Sequence, residues 1–186
     1  MSEIIITGNN DVEIKSTRIV RYEAGKLVEI VPTLLLDTSG SMKQFVGSSR
    51  KIDILQDVVR SIGMGYARYS FSDDIRREDS GEMLDAGGNT ALAVAFNFLK
   101  ESGVRRHLVL VSDGVPDDVD EALESVRGLG YPVNVVYIGN IGDVGERFMR
   151  KIAETTGGKW LTADVKDAAF FQKNLESGIE KLMLIG

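Results

Sequence analysis

Short runs dominated by apolar residues recur along the chain, each too brief to be a buried helix: Thr33-Leu34-Leu35-Leu36, Tyr66-Ala67-Arg68-Tyr69-Ser70-Phe71, His107-Leu108-Val109-Leu110-Val111 and Val133-Asn134-Val135-Val136-Tyr137-Ile138. Runs of this kind read as strands, the most apolar of them buried on both faces of a sheet. Between them the apolar positions change to helical spacing. Ile52, Leu55, Val58, Val59 and Ile62 recur beside Lys51, Asp53, Asp57 and Arg60, an amphipathic helix with Gly63 as its stop. From Thr90, Leu92, Val94, Ala95, Phe96, Phe98 and Leu99 predict a mostly buried helix ended at Gly103. Asp117, Asp118, Asp120 and Glu121 open a helix running to about Arg127, where acidic residues suit the helix dipole. A helix over Phe148-Met149 to Ala153, a Gly157-Gly158 turn into Lys159-Trp160-Leu161, and a last helix from about Ala168 to Leu184 complete the pattern. Gly47-Ser48-Ser49 reads as a loop, and the polar stretch up to Leu84 has room for a short edge strand.

Strand and helix alternate to the end of the chain, which predicts an α/β fold: a doubly wound, mostly parallel sheet with helices on both faces. Ligands of such sheets bind beyond the C-terminal ends of the strands, near the topological switch point. Residues 1–31 differ. Their short β-branched runs, Ile4-Ile6, Arg18-Tyr22 and Leu27-Val31, the last two separated by Glu23-Ala24-Gly25-Lys26, predict a β-hairpin extension. An isolated hairpin is marginal in water, so this extension is expected to pack on the main domain, residues 32–186. Pro32 ends it and is tolerated at the start of the next strand.

Composition narrows the function. At 186 residues the chain is one domain by length, and with no Cys it has neither a disulfide framework nor a thiolate metal site. A net charge of −6 without a Lys/Arg cluster argues against nucleic acid as the main partner. The N-terminus Met1-Ser2-Glu3-Ile4-Ile5-Ile6-Thr7 lacks the pattern of a signal peptide, and no apolar run approaches a membrane span, so a cytoplasmic protein without a membrane partner is expected.

The chemistry sits where the first apolar run stops. Leu34-Leu35-Leu36 gives way to Asp37-Thr38-Ser39-Gly40-Ser41, one carboxylate and two hydroxyls at alternate positions, with a Gly that relieves crowding in a tight turn. Residues two apart in such a turn aim both hydroxyls at one point. This is a cluster of hard oxygen ligands suited to Mg²⁺, Mn²⁺ or Ca²⁺. Two later loops offer Gly87-Gly88-Asn89-Thr90 and Val111-Ser112-Asp113-Gly114. Together the three pieces, in this order and at about this spacing, resemble the metal-ion-dependent adhesion site of von Willebrand factor A domains; the Phe71-Ser72-Asp73 strand ending is similar too.

The resemblance covers roughly residues 32–186 and implies that Ser39 and Ser41 coordinate a metal directly, with Asp37, Thr90 and Asp113 binding directly or through water. It implies Mg²⁺ or Mn²⁺ as the ion, and a Glu or Asp of a partner protein as the ligand that completes the shell. The implied function is a metal-dependent protein-binding module and not an enzyme. Small intracellular prokaryotic proteins of this type work with AAA+ ATPases of the MoxR kind or with kinase and phosphatase partners of tellurite-resistance-like systems.

Blander readings stand beside these. Ser39, Ser41 and Thr90 are also good helix N-caps, and Asp113 in Ser-Asp-Gly is a common turn acid. Asp73 and Asp74 read as turn and surface acids, and Asp117, Asp118 and Asp120 as a solvated helix start in preference to a second cation site. Trp160 and the Phe171, Leu175, Ile179, Leu182 stripe read as core in preference to a partner-binding face. His107, the only His, precedes Asp113 by six residues along a strand, about 20 Å at roughly 3.3 Å per residue, and cannot share its metal. The alternative function is a Mg²⁺-dependent phosphohydrolase with Asp37 as nucleophile. Against it, Ser39 stands where haloacid-dehalogenase-like phosphatases carry a second acid, and no Gly-x-x-x-x-Gly-Lys loop is present. One energetic expectation follows from the two acids alone. Without a cation Asp37 and Asp113 repel, so an Asp113→Ala variant is expected to be about as stable as metal-free wild type, or slightly more so.

Overall fold

The computed structural model describes residues 19–23, 26–62, 66–78, 85–103, 107–166 and 170–184. The Ile4-Ile6 run, the Ala24-Gly25 turn, the Gly63 stop, Leu84 and the Ala168 start lie outside these residues. Strands β1 (Ile19–Glu23) and β2 (Lys26–Ile30) pair antiparallel with Ile19 opposite Ile30, the hairpin expected of the N-terminal segment.

The main domain begins with β3 (Thr33–Asp37), followed by a single 3-10 turn at Gly40–Lys43 and a two-residue antiparallel ribbon of β4 (Phe45–Val46) and β5 (Ser49–Arg50). Gly47-Ser48, read as a loop, form the turn of this ribbon, and Ser49 already belongs to β5; strands of two residues leave no periodicity to read. Then come α1 (Lys51–Ile62), β6 (Ala67–Phe71), β7 (Ile75–Arg77), α2 (Leu92–Glu101), β8 (Leu108–Ser112), α3 (Val119–Arg127), β9 (Val133–Gly139), α4 (Val144–Thr156), β10 (Trp160–Asp164) and α5 (Phe171–Leu184).

The six-stranded sheet has the order β10-β9-β8-β3-β6-β7, parallel throughout except for the short antiparallel edge strand β7. Side chains of a strand alternate between faces, and the two cores follow that alternation. Leu34, Leu36, Val109, Val111, Val136 and Ile138 meet α1 and α5 on one face; Leu35, Leu108, Leu110, Val135 and Tyr137 meet α2, α3 and α4 on the other. The α5 stripe of Phe171, Leu175, Ile179 and Leu182 is buried in the first of these cores. Trp160 is only half-buried against the second, with the Arg150 guanidinium carbon 4.3 Å above its ring.

Helix α4 starts four residues before the Phe148-Met149 pair that marks it in sequence, because Asp143 caps it by accepting from the Glu146 N–H at 2.9 Å. Chain order sets the site. From β3 the chain steps outward to β6, then returns across β3 to β8, so the direction of winding reverses between β3 and β8. Asp37 and Asp113 stand at the C-terminal ends of these strands, the side on which doubly wound sheets bind ligands.

Candidate metal centre

Asp37 is the last residue of β3 and is fully buried. Its Oδ1 accepts from the Ser39 N–H at 2.7 Å and its Oδ2 from the Ser112 hydroxyl at 2.5 Å. The hydroxyls of Ser39 and Ser41 lie 2.9 Å apart, and Ser41 Oγ donates to Asp113 Oδ1 at 2.6 Å. The first and third sequence loops therefore converge, although 72 residues separate Ser41 from Asp113. Neither capping alternative applies: Ser39 makes no side-chain cap on the 3-10 turn, and α2 begins after Ala91 with no side-chain cap, leaving Thr90 outside the helix.

Backbone bonds lock the second loop to the first. Gly40 N–H donates to Gly88 O at 2.9 Å, and Gly87 N–H donates to Thr38 O at 2.8 Å. Thr38 in turn donates its hydroxyl to Phe71 O at 3.0 Å. Asp73, read as a turn acid, is exposed but does more: its Oδ1 accepts from the Asn89 N–H at 3.1 Å. Gly88 has φ of 72°, a left-handed backbone that favours glycine, and a Cβ built there would lie 2.1 Å from Asp73 Oδ2, so any side chain would be strained and would displace Asp73. Thr90 is buried, and its Oγ1 lies 3.5 Å from the position of a Cβ on Gly114, with Ser41 Oγ 3.8 Å from the same point. Ser39, Ser41 and Asp113 are thus joined in one hydrogen-bonded chain with Thr90 close by, and Asp37 reaches the cluster through the Ser39 N–H and the Ser112 hydroxyl.

Lys51, the first residue of α1, is the residue that the helical pattern assigned to the polar side. It is buried instead. Its Nζ donates to Asp113 Oδ2 at 2.7 Å and to Gln44 Oε1 at 2.8 Å, with side-chain exposures of 8% for Lys51 and 1% for Asp113. A cation in the first turn opposes the helix dipole, and that misfit was the available sequence signal. Ser112 gave none, since a Ser closing a strand is ordinary. The ion pair also reverses one expectation. Asp113→Ala would strand a buried ammonium, so the metal-free variant is destabilised, not spared.

Burial, and secondly the charge of Asp113, push the Asp37 carboxyl up to about 6, against the opposing hydrogen bonds from Ser112 and Ser39. A carboxylate pressed this way gains from a cation. His107 lies at the other edge of the sheet, where its carbonyl accepts from Thr33 N–H at 2.8 Å. Asp117, Asp118 and Asp120 are exposed, and Asp118 caps α3 through the Glu121 N–H at 2.9 Å. Among the described residues no three His, Cys, Asp or Glu side chains form a metal-holding group, and this cluster brings only two carboxylates. The donor set of two carboxylates and three hydroxyls fits a small hard dication that keeps some of its water.

No protein-family model matches the chain, and a search of curated proteins finds no match. Solved structures do. A von Willebrand factor type A protein from Catenulispora acidiphila is 16% identical with a TM-score of 0.60, the match covering 84% of this chain and 44% of that one. Proximal thread matrix protein 1 from the mussel byssus, crystal form 2, is 13% identical with a TM-score of 0.51, covering 79% and 45%. The same mussel protein with a zinc-occupied MIDAS motif gives 13% and 0.49. This chain spans less than half the length of each of these proteins. At such identities the likeness is one of architecture: the chain has the von Willebrand factor A fold.

Proposed function

We propose that the chain is a protein-binding module that docks an acidic side chain of a partner through Mg²⁺, or Mn²⁺, held by Asp37, Ser39, Ser41, Thr90 and Asp113. The observation that carries the reading is the continuous contact from Ser39 through Ser41 to Asp113, which gathers loops far apart in sequence around one space. Mg²⁺ takes oxygen ligands in near-octahedral array at about 2.0–2.1 Å and tolerates several waters, so five side chains are ample. When bound, the ion supplies an exchangeable position that an outside carboxylate fills.

The surroundings of the site support a protein partner. Phe45 is 69% exposed just after the first loop, Ile141 is 66% exposed in the loop after β9, and Val115 stands out beside Asp113. Apolar side chains presented on several loops at one sheet edge are a feature of contact surfaces. The resemblance points to AAA+ ATPases and to kinase or phosphatase systems as partners, in the cytoplasm. Among the described residues no helix is long and apolar enough to cross a membrane. Binding without catalysis is favoured because Ser39, and not a second acid, stands two residues after Asp37, so an Asp37 nucleophile would lack the general acid of haloacid-dehalogenase-like phosphatases.

The test is thermal melting and calorimetry of wild type and a Ser39→Ala/Ser41→Ala variant with Mg²⁺ and with chelator. Wild type should be stabilised by mass action and the variant should not. Equal stabilisation of both would overturn the reading.

A further inference from the structure

The metal-mediated reading leaves one charge in the site without a part. Lys51 is no accident of the surface: its side chain is 8% exposed, it sits where a helix disfavours a cation, and both Asp113 Oδ2 and Gln44 Oε1 hold it. The neighbouring cation, Arg50, is engaged elsewhere, with Asp53 at 2.6 Å and Asp85 at 3.0 Å. Lys51 is therefore the cation paired directly with a carboxylate of the cluster.

The balance has a consequence. Asp37, Asp113 and Lys51 together carry one net negative charge when ionised. A divalent cation turns that into one net positive charge in a space with little solvent, and a single outside carboxylate restores neutrality. Without Lys51 the two acids and the dication would already be neutral, and an added carboxylate would be surplus. We propose that Lys51 couples the two binding events: its ammonium opposes a divalent cation in the open site and is compensated once a carboxylate has joined, so that metal and acidic ligand bind cooperatively. Asp113 meanwhile keeps Oδ1, the oxygen next to Ser41, turned to the shared space, while Oδ2 stays with Lys51. The inference rests on the metal-mediated reading and adds to it the order of events: little metal without partner, and metal and partner together.

The experiment measures Mn²⁺ binding to the full chain by calorimetry, in chloride and in acetate at equal ionic strength, for wild type, Lys51→Gln, Lys51→Met and Lys51→Arg. Gln removes the charge while keeping a donor to Asp113, and Met serves as the apolar counterpart; melts in chelator establish which variant folds. Removing a nearby unit charge from a desolvated site should tighten Mn²⁺ binding in chloride by at least about tenfold. Acetate should strengthen Mn²⁺ binding several-fold in wild type and Lys51→Arg, and hardly at all in the charge-free variants. Mn²⁺ binding in Lys51→Gln that is no tighter than wild type, or an acetate effect of the same size in both, overturns the coupling while leaving the metal site in place. A wild type that takes up no Mn²⁺ even with acetate overturns the metal site and the coupling together.

Discussion

Asp113→Ala is the substitution on which the site's energetics can be judged most directly. The carboxylate accepts from Ser41 Oγ at 2.6 Å and from Lys51 Nζ at 2.7 Å, and its side chain is 1% exposed. Truncation leaves the Lys51 ammonium buried with Gln44 as the one remaining partner among those identified for it. Breaking a buried ion pair by deleting one member costs about 3–5 kcal/mol, because the other charge stays desolvated. Loss of the repulsion between Asp37 and Asp113 returns part of that, since Asp113 is the second cause of the raised Asp37 carboxyl. The net destabilisation is about 2–4 kcal/mol, and for a chain of this size that lowers the melting temperature by roughly 5–15 °C. The assay is a thermal melt in chelator, with Lys51→Met/Asp113→Ala alongside. The double variant removes both charges and should recover most of the loss. A single variant that melts with or above wild type would refute the argument, because the pair would then contribute nothing.

Four further outcomes are expected. Asp37 has a folded-state carboxyl at about 6 against an ordinary 3.8, so the metal-free folded protein binds a proton that the unfolded chain releases across that window. Metal-free stability should fall as pH rises from about 4 to above 6, by on the order of 2–3 kcal/mol, and Asp37→Asn should flatten the profile; urea titrations over this range check it. Gly88→Ala forces a side chain into a left-handed backbone against Asp73, which should destabilise by about 1–3 kcal/mol and abolish stabilisation by Mg²⁺, read from melts with and without the ion. Phe171→Ala empties a fully buried position between α5 and the sheet, and chemical denaturation should show a loss of about 3–5 kcal/mol with Mg²⁺ binding retained in the folded fraction. Deleting residues 2–30 should lower the melting temperature, since a hairpin gains its stability from what it packs on; an unchanged melt would make the segment an independent arm.

The parts of the fold written locally were the parts legible in sequence. The centres of β3 (Leu34–Leu36) and β8 (Leu108–Val111) are apolar without alternation because both faces of a central parallel strand are covered, and the five helices show because each buries a single stripe. The five proposed ligand residues stood out in sequence because each follows a strand or precedes a helix, where a polar cluster has no packing reason to exist. Lys51 was not legible as part of the site, because its neighbour Asp113 is 62 residues away and only the packing of α1 against the sheet brings them together. Ser112 and Asp73 escaped for the same reason: their partners, Asp37 and Asn89, are supplied by other loops. The early start of α4 was hidden by a polar first turn, in which the Asp143 cap and not an apolar residue marks the boundary.

The position of β3 has a further consequence for how the chain is made. It is synthesised before its hydrogen-bonding neighbours: β6 meets it at Thr38 and Phe71, 33 residues on, and β8 at Asp37 and Ser112, 75 residues on. Until β8 has left the ribosome, this apolar strand lacks its second hydrogen-bonding neighbour and keeps an open backbone edge. Loops this long must close before pairing brings any return, so the strand that organises the folded molecule is also the segment most exposed to mispairing in the nascent one. A chain released before Ser112 would carry Leu34, Leu35 and Leu36 with no second neighbour to accept them, and such fragments should be found with holdase chaperones or in aggregates.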